Sequence, residues 1–523
     1  MIVRAAAPLL DWRAGRRRHE LGRVSRDGVA VQEAVLRRLV AAARDTEFGL
    51  THGFSGIRSV AEYQERVPVR DYRHFRPLWQ RALDGESGVT WPGLCRDWVK
   101  TSGTTSGDKV IPVTREALAS HRKGGWDALL MATERVGARH LVGGPMLFLG
   151  GSTAARPAGA ESRVGDLSGL AVRRLPPGLR GLYSPGAAIA AIPEWEERLE
   201  AVAALAAGQD LRLISGMPSW LVILLERVAR ARRASGRPIR HLGQCWPNLR
   251  VLIHGGVAFA PYASVLDAWS CSPLERVEVY PASEGFVAVQ TEASGGLTLM
   301  LDYGIFYEFV PVEDLSSESP RRHTVADVEL NRSYALVMST PGGLWSYVLG
   351  DTVRFTRRDP LRLVITGRTR HYVNAFGENV IVEEIERALV GACRRTEAEV
   401  VEFTVAPSYP GAGEPRGGHE WLVEFRIPPQ EPEEFARIID ETLIALNADY
   451  RTKRTGDVGM VAPTVTALPG GTFHRWMRAG GKLGDQHKVP RATNDRAIAD
   501  ALLALAPGAL SAHSRFRTLE THG

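Results

Sequence analysis

The chain of 523 residues has few cysteines and few lysines. Its four cysteines, at 95, 245, 271 and 393, have no paired spacing, which argues against a disulfide framework and a zinc site and favours a reducing cytoplasm. The apolar segment 141–150 is too short and too rich in glycine to span a bilayer, so we expect no membrane anchor. These absences favour an ordinary globular protein.

The net charge of +6 is spread over the whole chain, and the only dense basic run is Arg16–Arg18. A diffuse excess of this kind does not predict nucleic-acid binding. The first 26 residues are rich in arginine but lack the serines of a transit peptide, so they predict a solvated helix. We expect a monomer or a weak dimer that binds small molecules.

Residues 101–109 read T-S-G-T-T-S-G-D-K and predict a loop that binds phosphate groups. Glycines let the backbone approach a polyanion, hydroxyl groups donate hydrogen bonds, and a lysine adds a compact positive charge. The chain has only six lysines, and two of them, Lys100 and Lys109, flank this loop. The order of residues differs from a Walker loop, which disfavours a P-loop NTPase. The alternative is a flexible loop without a ligand. The predicted phosphate-binding residues are Ser102, Gly103, Thr104, Thr105, Ser106, Gly107 and Lys109.

Helical and strand patterns alternate along the chain and predict an α/β core with a largely parallel sheet. Residues 32–44 and 194–207 have helical periodicity, whereas 211–214, 249–253 and 277–280 are typical of short buried strands. Ligands of such folds bind at the carboxyl ends of the strands. The last two strands lead into His-Gly-Gly at 254–256 and Tyr-Pro-Ala-Ser-Glu-Gly at 280–285, which are therefore candidate binding segments.

A change in the pattern of elements near residue 367 predicts a domain boundary. We expect an N-terminal domain over 1–367, which binds nucleotide and substrate, and a smaller α+β domain over 368–523. The second domain has predicted helices at 382–389 and 431–446, and predicted strands at 400–405 and 419–426.

The sequence resembles the adenylate-forming superfamily, which includes acyl-CoA ligases, luciferase and synthetase adenylation domains. The resemblance rests on the phosphate loop, on Y-P-A-S-E-G, on Gly350-Asp351 and on G-R-T-R-H-Y-V-N-A-F-G-E-N-V-I-V-E-E-I-E from residue 367. Within the superfamily the chain is most similar to the auxin-conjugating Gretchen Hagen acyl-acid amido synthetases. That similarity rests on T-E-F-G-L-T-H-G-F-S-G-I from 46, V-P-V-R-D-Y from 67, S-G-M-P-S-W from 215 and G-K-L-G-D-Q-H-K-V-P-R from 481.

The resemblance implies a large adenylate-forming domain with mixed or parallel sheets and a mobile C-terminal cap. It also implies a reaction in which a carboxylate attacks the α-phosphorus of ATP, pyrophosphate leaves, and an amine then attacks the acyl-adenylate and releases AMP. Lys488 would be catalytic, since an ammonium group neutralises charge in the adenylation transition state. Glu284 would bind Mg²⁺, because a hard cation prefers carboxylate oxygen. Arg370 would lie at the hinge.

The resemblance further implies that Tyr280 stacks on adenine and that Asp351 accepts hydrogen bonds from the ribose hydroxyls. The full set assigned to adenine and ribose is Gly255, Gly256, Tyr280, Ala282, Ser283, Asp351 and Arg368. For each residue a purely structural role is the alternative: a core position for Tyr280, a turn for Asp351, a helix N-terminus for Glu284 and a surface position for Lys488.

The acyl pocket is predicted from apolar residues close to these motifs, for which core packing is the alternative. The candidates are Met217, Trp220, Phe259 and Phe286. Two other functions remain open at this stage. One is an acyl-CoA or aryl-CoA ligase that uses the same adenylate, and the other is a nucleotide-binding protein of this fold without catalysis.

Overall fold

The structure is a computed structural model. It describes the residues 7–101, 109–158, 161–174, 180–256, 259, 263, 266–267, 269–270, 273–315, 317–369, 372–378, 380–409, 416–455, 459–479, 489–506 and 510–511. For residues 219, 367–368, 372, 381–383 and 510–511 the description is limited to the backbone.

Two compact units divide the chain. The larger unit contains the described residues of the segments 1–101, 109–259 and 266–369. The smaller unit contains the described residues from 372 onward. Each unit has its own sheet, and each is described by itself below. The assignment of separate functions to an N-terminal and a C-terminal domain remains a prediction.

The helices of the larger unit are α1 (Ala7–Arg26), α2 (Gly28–Ala43), α3 (Glu47–Thr51), α4 (Val60–Arg66), α5 (Tyr72–Leu83), α6 (Arg115–Val136), α7 (Ala138–Leu141), α8 (Leu167–Arg173), α9 (Ala187–Ala190), α10 (Trp195–Ala206) and α11 (Pro218–Ala234). Those of the smaller unit are α12 (Val382–Thr396), α13 (Pro432–Leu446), α14 (Ala448–Arg454), α15 (Thr472–Ala479) and α16 (Ala497–Ala504). In the part of the chain that the structure describes, no helix is both long and apolar enough to cross a membrane.

The strands of the larger unit are β1 (Asp97–Thr101), β2 (Lys109–Pro112), β3 (Met146–Phe148), β4 (Ala155–Ala158), β5 (Ser162–Gly165), β6 (Tyr183–Ser184), β7 (Leu213–Gly216), β8 (Val251–Gly255), β9 (Glu275–Ala282), β10 (Gly285–Val289), β11 (Leu297–Leu299), β12 (Phe306–Pro311), β13 (Ser333–Thr340), β14 (Leu344–Arg358) and β15 (Leu361–Arg368). Those of the smaller unit are β16 (Tyr372–Val373), β17 (Val380–Ile381), β18 (Glu399–Ser408), β19 (Gly418–Ile427), β20 (Thr464–Leu468) and β21 (Leu510–Ser511).

The main sheet of the larger unit is mixed. Its strand order is β12-β13-β14-β15-β11-β10-β9-β8-β7-β3-β6. The five strands from β9 to β6 run parallel, whereas the pairs from β12 to β9 are antiparallel. The predicted α/β class with mixed or parallel sheets is confirmed, but the parallel part is only one side of the sheet. A second sheet has the order β2-β1-β5-β4.

Local sequence explains where the elements begin and end. Helix α6 begins after Thr114, whose Oγ1 accepts a hydrogen bond from the Ala117 amide at 3.0 Å. It ends at Gly137, which has a φ of +82° that a residue with a side chain rarely adopts. The predicted helices and strands named above all occur in the structure, with ends shifted by a few residues, because their apolar periodicity is strong.

The N-terminal helix differs from the solvated helix that the sequence predicts. Arg17 of α1 is buried, and it forms ion pairs with Asp127 at 2.7 Å and with Asp302 at 2.9 Å. Helix α1 therefore packs on the rest of the larger unit through the buried side chain of Arg17. The arginine-rich composition of the helix does not show which of its arginines is buried.

In the smaller unit, β18, β19, β20 and β21 form a four-stranded sheet. Glu378, from the segment that follows residue 367, is fully buried and organises the turn before β17. Its carboxylate accepts hydrogen bonds from the amides of Ala375 and Phe376 at 2.6 and 2.7 Å and lies 2.7 Å from Nε2 of His419. Burial alone would raise the pKa of Glu378, but His419 and these amides lower it.

Candidate active site

The carboxyl end of β8 approaches its neighbours so closely that only glycine fits there. A Cβ on Gly255 would lie 2.2 Å from the carbonyl oxygen of Val279 in the parallel strand β9. Gly256 has a φ of +87°, and a Cβ there would lie 3.0 Å from the sulfur of Met217. The backbone at 255–256 is therefore packed closely against β9 and Met217, and glycine is required both for this packing and for the positive φ of Gly256. The adenine-binding role of the two glycines stays a prediction.

Replacing Gly255 by alanine is expected to destabilise the protein by about 1–3 kcal/mol, because the new methyl group meets a backbone carbonyl that cannot rotate away. The measurement is the urea unfolding midpoint. Gly15 of α1, where a Cβ has nothing within 4 Å, supplies the control. Its replacement by alanine should leave stability unchanged or raise it by about 0.5–1 kcal/mol. Equal midpoints for Gly255→Ala and wild type would contradict the close packing.

A hydrogen bond joins two residues that the sequence assigns to the nucleotide. The Tyr280 hydroxyl of β9 donates to Oδ2 of Asp351 in β14 at 2.5 Å, across 71 positions of sequence. Both side chains are buried, and Gly350, with a φ of +98°, shapes the backbone just before Asp351. Asp351 also lies opposite Arg368 in the β14–β15 pairing, although the Arg368 side chain lies outside the described residues.

Ser283 and Glu284 form the turn of the β9–β10 hairpin, since Ala282 and Gly285 are paired across it. Glu284 lies in this connection between two strands and not at the N-terminus of a helix, and its side chain is buried. Within the described ranges, no cluster of three or more His, Cys, Asp or Glu side chains could hold a metal ion. A single carboxylate fits Mg²⁺ that is otherwise bound by water and by substrate phosphates.

Two buried histidines flank this strand end. His254 belongs to the candidate binding segment 254–256, whereas the sequence motifs missed His121. His121 of α6 interacts electrostatically with the backbone of Ser283, and His254 directly precedes Gly255. Burial lowers the pKa of each to about 4, so both are neutral near pH 7. The available signal was periodicity: His121 lies four residues after Ala117 on the buried face of α6.

These histidines make the protein sensitive to acid. Their folded-state pKa lies below the ordinary 6.5, so the unfolded chain binds protons first and stability falls as pH decreases from about 6.5 to about 4. Each histidine is expected to contribute up to about 3 kcal/mol to that loss. Urea unfolding between pH 7 and pH 4.5 measures it. The double variant His121→Gln/His254→Gln should show a smaller loss, and an equal loss would contradict the assignment.

The predicted phosphate loop connects two paired strands. Thr101 at the end of β1 is opposite Lys109 at the start of β2. Lys109 is buried, with Nζ 5.4 Å from the ring centroid of Tyr72. The other predicted phosphate-binding residues, Ser102, Gly103, Thr104, Thr105, Ser106 and Gly107, lie outside the described residues. So do Lys488 and Arg370, whose roles remain predictions from sequence.

A large cavity of about 760 Å³ lies beside the parallel strands. Strands β7, β3 and β6 contribute Ser215, Phe148 and Tyr183 at their carboxyl ends, and α6 contributes one wall that includes His121 and Trp126. The volume is that of a typical small-molecule site. Because His121 also interacts with the backbone of Ser283 in the Glu284 turn, this cavity lies next to the predicted nucleotide site.

The four residues predicted to form an acyl pocket are not among the described residues that line this cavity. Phe286 packs on Gly124 of α6, where a Cβ would come within 2.3 Å of its ring. Phe259 lies 4.4 Å from the His254 ring, between centroids. Met217 packs beside Gly256, and the ring of Trp220 lies tilted against that of Trp195, with 4.4 Å between the ring centroids.

Protein-family models match the chain in three consecutive segments. The GH3 family N-terminal domain matches residues 17–159, the central domain matches 298–368 and the C-terminal domain matches 383–497. Together they cover more than half of the chain, in the order of the family. The chain belongs to the GH3 family. Its members are acyl acid amido synthetases with the adenylate-forming fold, so the resemblance that the sequence motifs indicate is confirmed.

Curated relatives of this GH3 protein share about a quarter of its sequence. The indole-3-acetic acid-amido synthetase GH3.3 of Arabidopsis thaliana is 23% identical over 90% of each chain. GH3.8 of Oryza sativa subsp. indica, with the same described activity, is 24% identical over 90% of this chain and 89% of the relative. These relatives are adenylate-forming ligases that use ATP.

Solved structures show the same fold. The acyl acid amido synthetase AtGH3.15, in complex with 2,4-DB, aligns with a TM-score of 0.59 at 16% identity over 95% of this chain and 97% of the other. A 2-hydroxyisobutyryl-CoA ligase in complex with 2-HIB-AMP and CoA aligns with a TM-score of 0.51 at 14% identity, over 92% of both chains. At such identities the similarity concerns the fold alone.

Proposed function

We propose that this GH3 protein is an ATP-dependent acyl-acid amido synthetase. It adenylates a carboxylic acid and transfers the acyl group to an amine, with an amino acid as the first candidate acceptor, and it releases AMP and pyrophosphate. The observation that carries the proposal is the hydrogen bond between Tyr280 and Asp351, which joins the residue proposed to contact adenine to the residue proposed to contact ribose, beside the closely packed Gly255 and Gly256.

The nucleotide would bind across the carboxyl ends of β8 and β9. Tyr280 would offer its ring face to adenine, and Asp351, already positioned by the Tyr280 hydroxyl, would accept hydrogen bonds from the ribose hydroxyls. The phosphates would extend toward the loop between β1 and β2. Glu284 is the residue that would hold Mg²⁺, which supplies charge neutralisation to the phosphates when it is bound.

The acid would bind in the 760 Å³ cavity, whose wall at His121 is continuous with the Glu284 turn. Neutral His121 interacts with the backbone of Ser283 in that turn and adds no positive charge to it. Lys488 would approach the α-phosphate and the attacking carboxylate and neutralise charge as the acyl–oxygen–phosphorus bond forms. The amine would then attack the acyl carbon, and AMP would leave.

The test is acid-dependent release of pyrophosphate from ATP and Mg²⁺, with hydroxylamine to trap the acyl-adenylate as a hydroxamate. We expect a panel of aryl and alkyl acids to give both products and the Lys488→Ala variant to give neither. Supplying amino acids and coenzyme A in parallel then separates the proposed amide synthesis from thioester synthesis. ATP binding without pyrophosphate release from any acid would favour a non-catalytic protein.

The proposed location is a reducing cytoplasm. Cys95, Cys245 and Cys393 are all free, and burial raises the pKa of each thiol. Structural thiols of this kind fit a compartment in which disulfides do not form.

A further inference from the structure

The large cavity contains a buried arginine without a carboxylate partner. Arg198 of α10 lines the cavity and is only 5% exposed. One terminal nitrogen, Nη1, donates to the carbonyl oxygens of Ile192 and Pro193 at 2.5 and 3.0 Å. Its Nε has no hydrogen-bond partner within the part of the chain that the structure describes. The guanidinium also lies over the Trp195 ring, with Cζ 5.3 Å from the ring centroid, but no carboxylate among the described residues forms an ion pair with it. Burying a charge without a counter-charge is costly, so this guanidinium is poised for an acceptor that enters the cavity.

The other positive side chains of the cavity differ from Arg198. Lys123 is paired with Asp302 and Arg174 with Asp97, at 2.7 and 2.9 Å, whereas Arg122 is exposed. Among the described residues that line the cavity, none is aspartate or glutamate. The carboxylates of Asp166 and Glu194 act on Arg198 electrostatically, but burial outweighs them and holds the pKa of Arg198 below its ordinary value. The cavity therefore holds an excess of positive charge that its own wall does not neutralise.

The order of the strands places Arg198 far from the nucleotide motifs. These motifs lie at the ends of β8 and β9, and the sheet continues through β7 and β3 to β6 at its edge. Arg198 interacts electrostatically with Tyr183 of β6, and its carbonyl partners follow the helix after that strand. Three strand spacings separate β8 from β6, which is about 14 Å. A carboxylate that reacts beside β8 and β9 is therefore not the group that Arg198 binds.

We propose that Arg198 is a specificity-determining residue that binds a second carboxylate at the far end of the acid. The substrate class is then an elongated dicarboxylic acid with an apolar middle, since apolar side chains such as Phe148, Leu129 and Val202 line the space between. A guanidinium matches a carboxylate with two parallel hydrogen bonds, and Nε is available for one of them. The inference rests on the proposed function, because it assigns the reacting group to the nucleotide side.

The experiment compares straight-chain dicarboxylic acids, from adipic to dodecanedioic acid, with the monocarboxylic and ω-hydroxy acids of the same length. Pyrophosphate release gives kcat/KM for each acid with wild type, Arg198→Met, Arg198→Lys and the exposed control Arg230→Met. For at least one length, wild type should prefer the dicarboxylic acid over the monocarboxylic acid by about 10-fold or more. Arg198→Met should abolish that preference, Arg198→Lys should retain part of it and Arg230→Met should preserve it.

An equal decrease in kcat/KM for all acids in Arg198→Met would overturn the inference, since it would show that Arg198 has a structural role. A wild-type preference for monocarboxylic or ω-hydroxy acids would also overturn it. Calorimetry with the acids alone separates this inference from the proposed function. In one outcome, dicarboxylic acids bind wild type but not Arg198→Met, and no pyrophosphate is released. That result would contradict the proposed adenylation and would support the proposed carboxylate-binding site. If the affinity for the acids does not depend on their second carboxylate, the proposed binding site at Arg198 is contradicted.

Discussion

Replacing Asp351 by alanine is expected to lower kcat/KM for ATP by about 100-fold. The variant removes the proposed acceptor of the ribose hydroxyls, and hydrogen bonds to a charged group contribute about 1.5–3 kcal/mol each. It also leaves the buried Tyr280 hydroxyl without the partner that holds it at 2.5 Å in the folded protein. Pyrophosphate release at varied ATP concentration, with a saturating acid, measures the effect.

Two further variants make the Asp351 result specific. Tyr280→Phe keeps an aromatic ring for adenine and removes only the hydrogen bond to Asp351, so its loss should be much smaller than that of Asp351→Ala. Asp45→Ala removes a carboxylate that is 82% exposed and should behave as wild type. Unchanged kinetics for Asp351→Ala would show that this carboxylate does not contact the nucleotide.

Replacing Arg322 by methionine is expected to destabilise the larger unit by about 3–5 kcal/mol, because it leaves the fully buried carboxylate of Glu308 without its counter-charge. The pair is 2.7 Å apart, and Arg322 also donates to Oγ of Ser346 at 2.6 Å and to the carbonyl oxygens of Gln64 and Val67 at 2.7 Å each. Urea unfolding at pH 7 measures the free energy of unfolding.

The control for Arg322 is an ion pair near the surface. Arg332→Met breaks pairs with Glu313 and Glu329, whose side chains are more than half exposed, and should cost less than about 1 kcal/mol. The double variant Glu308→Gln/Arg322→Met should be more stable than Arg322→Met, since it buries no unpaired charge. If the free energy of unfolding of Arg322→Met is not lower than that of Arg332→Met, the predicted cost of the buried unpaired charge is contradicted.

Local patterns predicted the elements that hold the site. The apolar runs at 251–253 and 277–280 are strands in the structure, and their small and polar continuations lie at the strand ends. The hydrogen bond between Tyr280 and Asp351 had no such signal, because three strands separate β14 from β9 in the sheet. Motifs supplied each residue separately, and only the fold brought them together.

The cavity that we propose for the acid could not be predicted from residues near the motifs. Its lining comes from β3, β6, β7 and the helices α6, α8 and α10, and of the motifs named above only S-G-M-P-S-W contributes a lining residue, Ser215. Met217 and Phe286 are apolar and close in sequence to binding segments, but side-chain direction places them against glycines of the core. Nothing in the sequence around Arg198 distinguishes it from an exposed arginine of a helix. Its burial depends on tertiary packing, which helical periodicity alone does not predict.

The most direct test of the account is the fate of oxygen from the acid. The enzyme is incubated with ATP, Mg²⁺, an amino acid and a carboxylic acid labelled with ¹⁸O in both carboxyl oxygens, and the AMP is analysed by mass spectrometry. Attack of the carboxylate on the α-phosphorus predicts one labelled oxygen in AMP and one in the amide product. Unlabelled AMP, or label in inorganic phosphate beside ADP, would show that no acyl-adenylate forms and would contradict the proposed function.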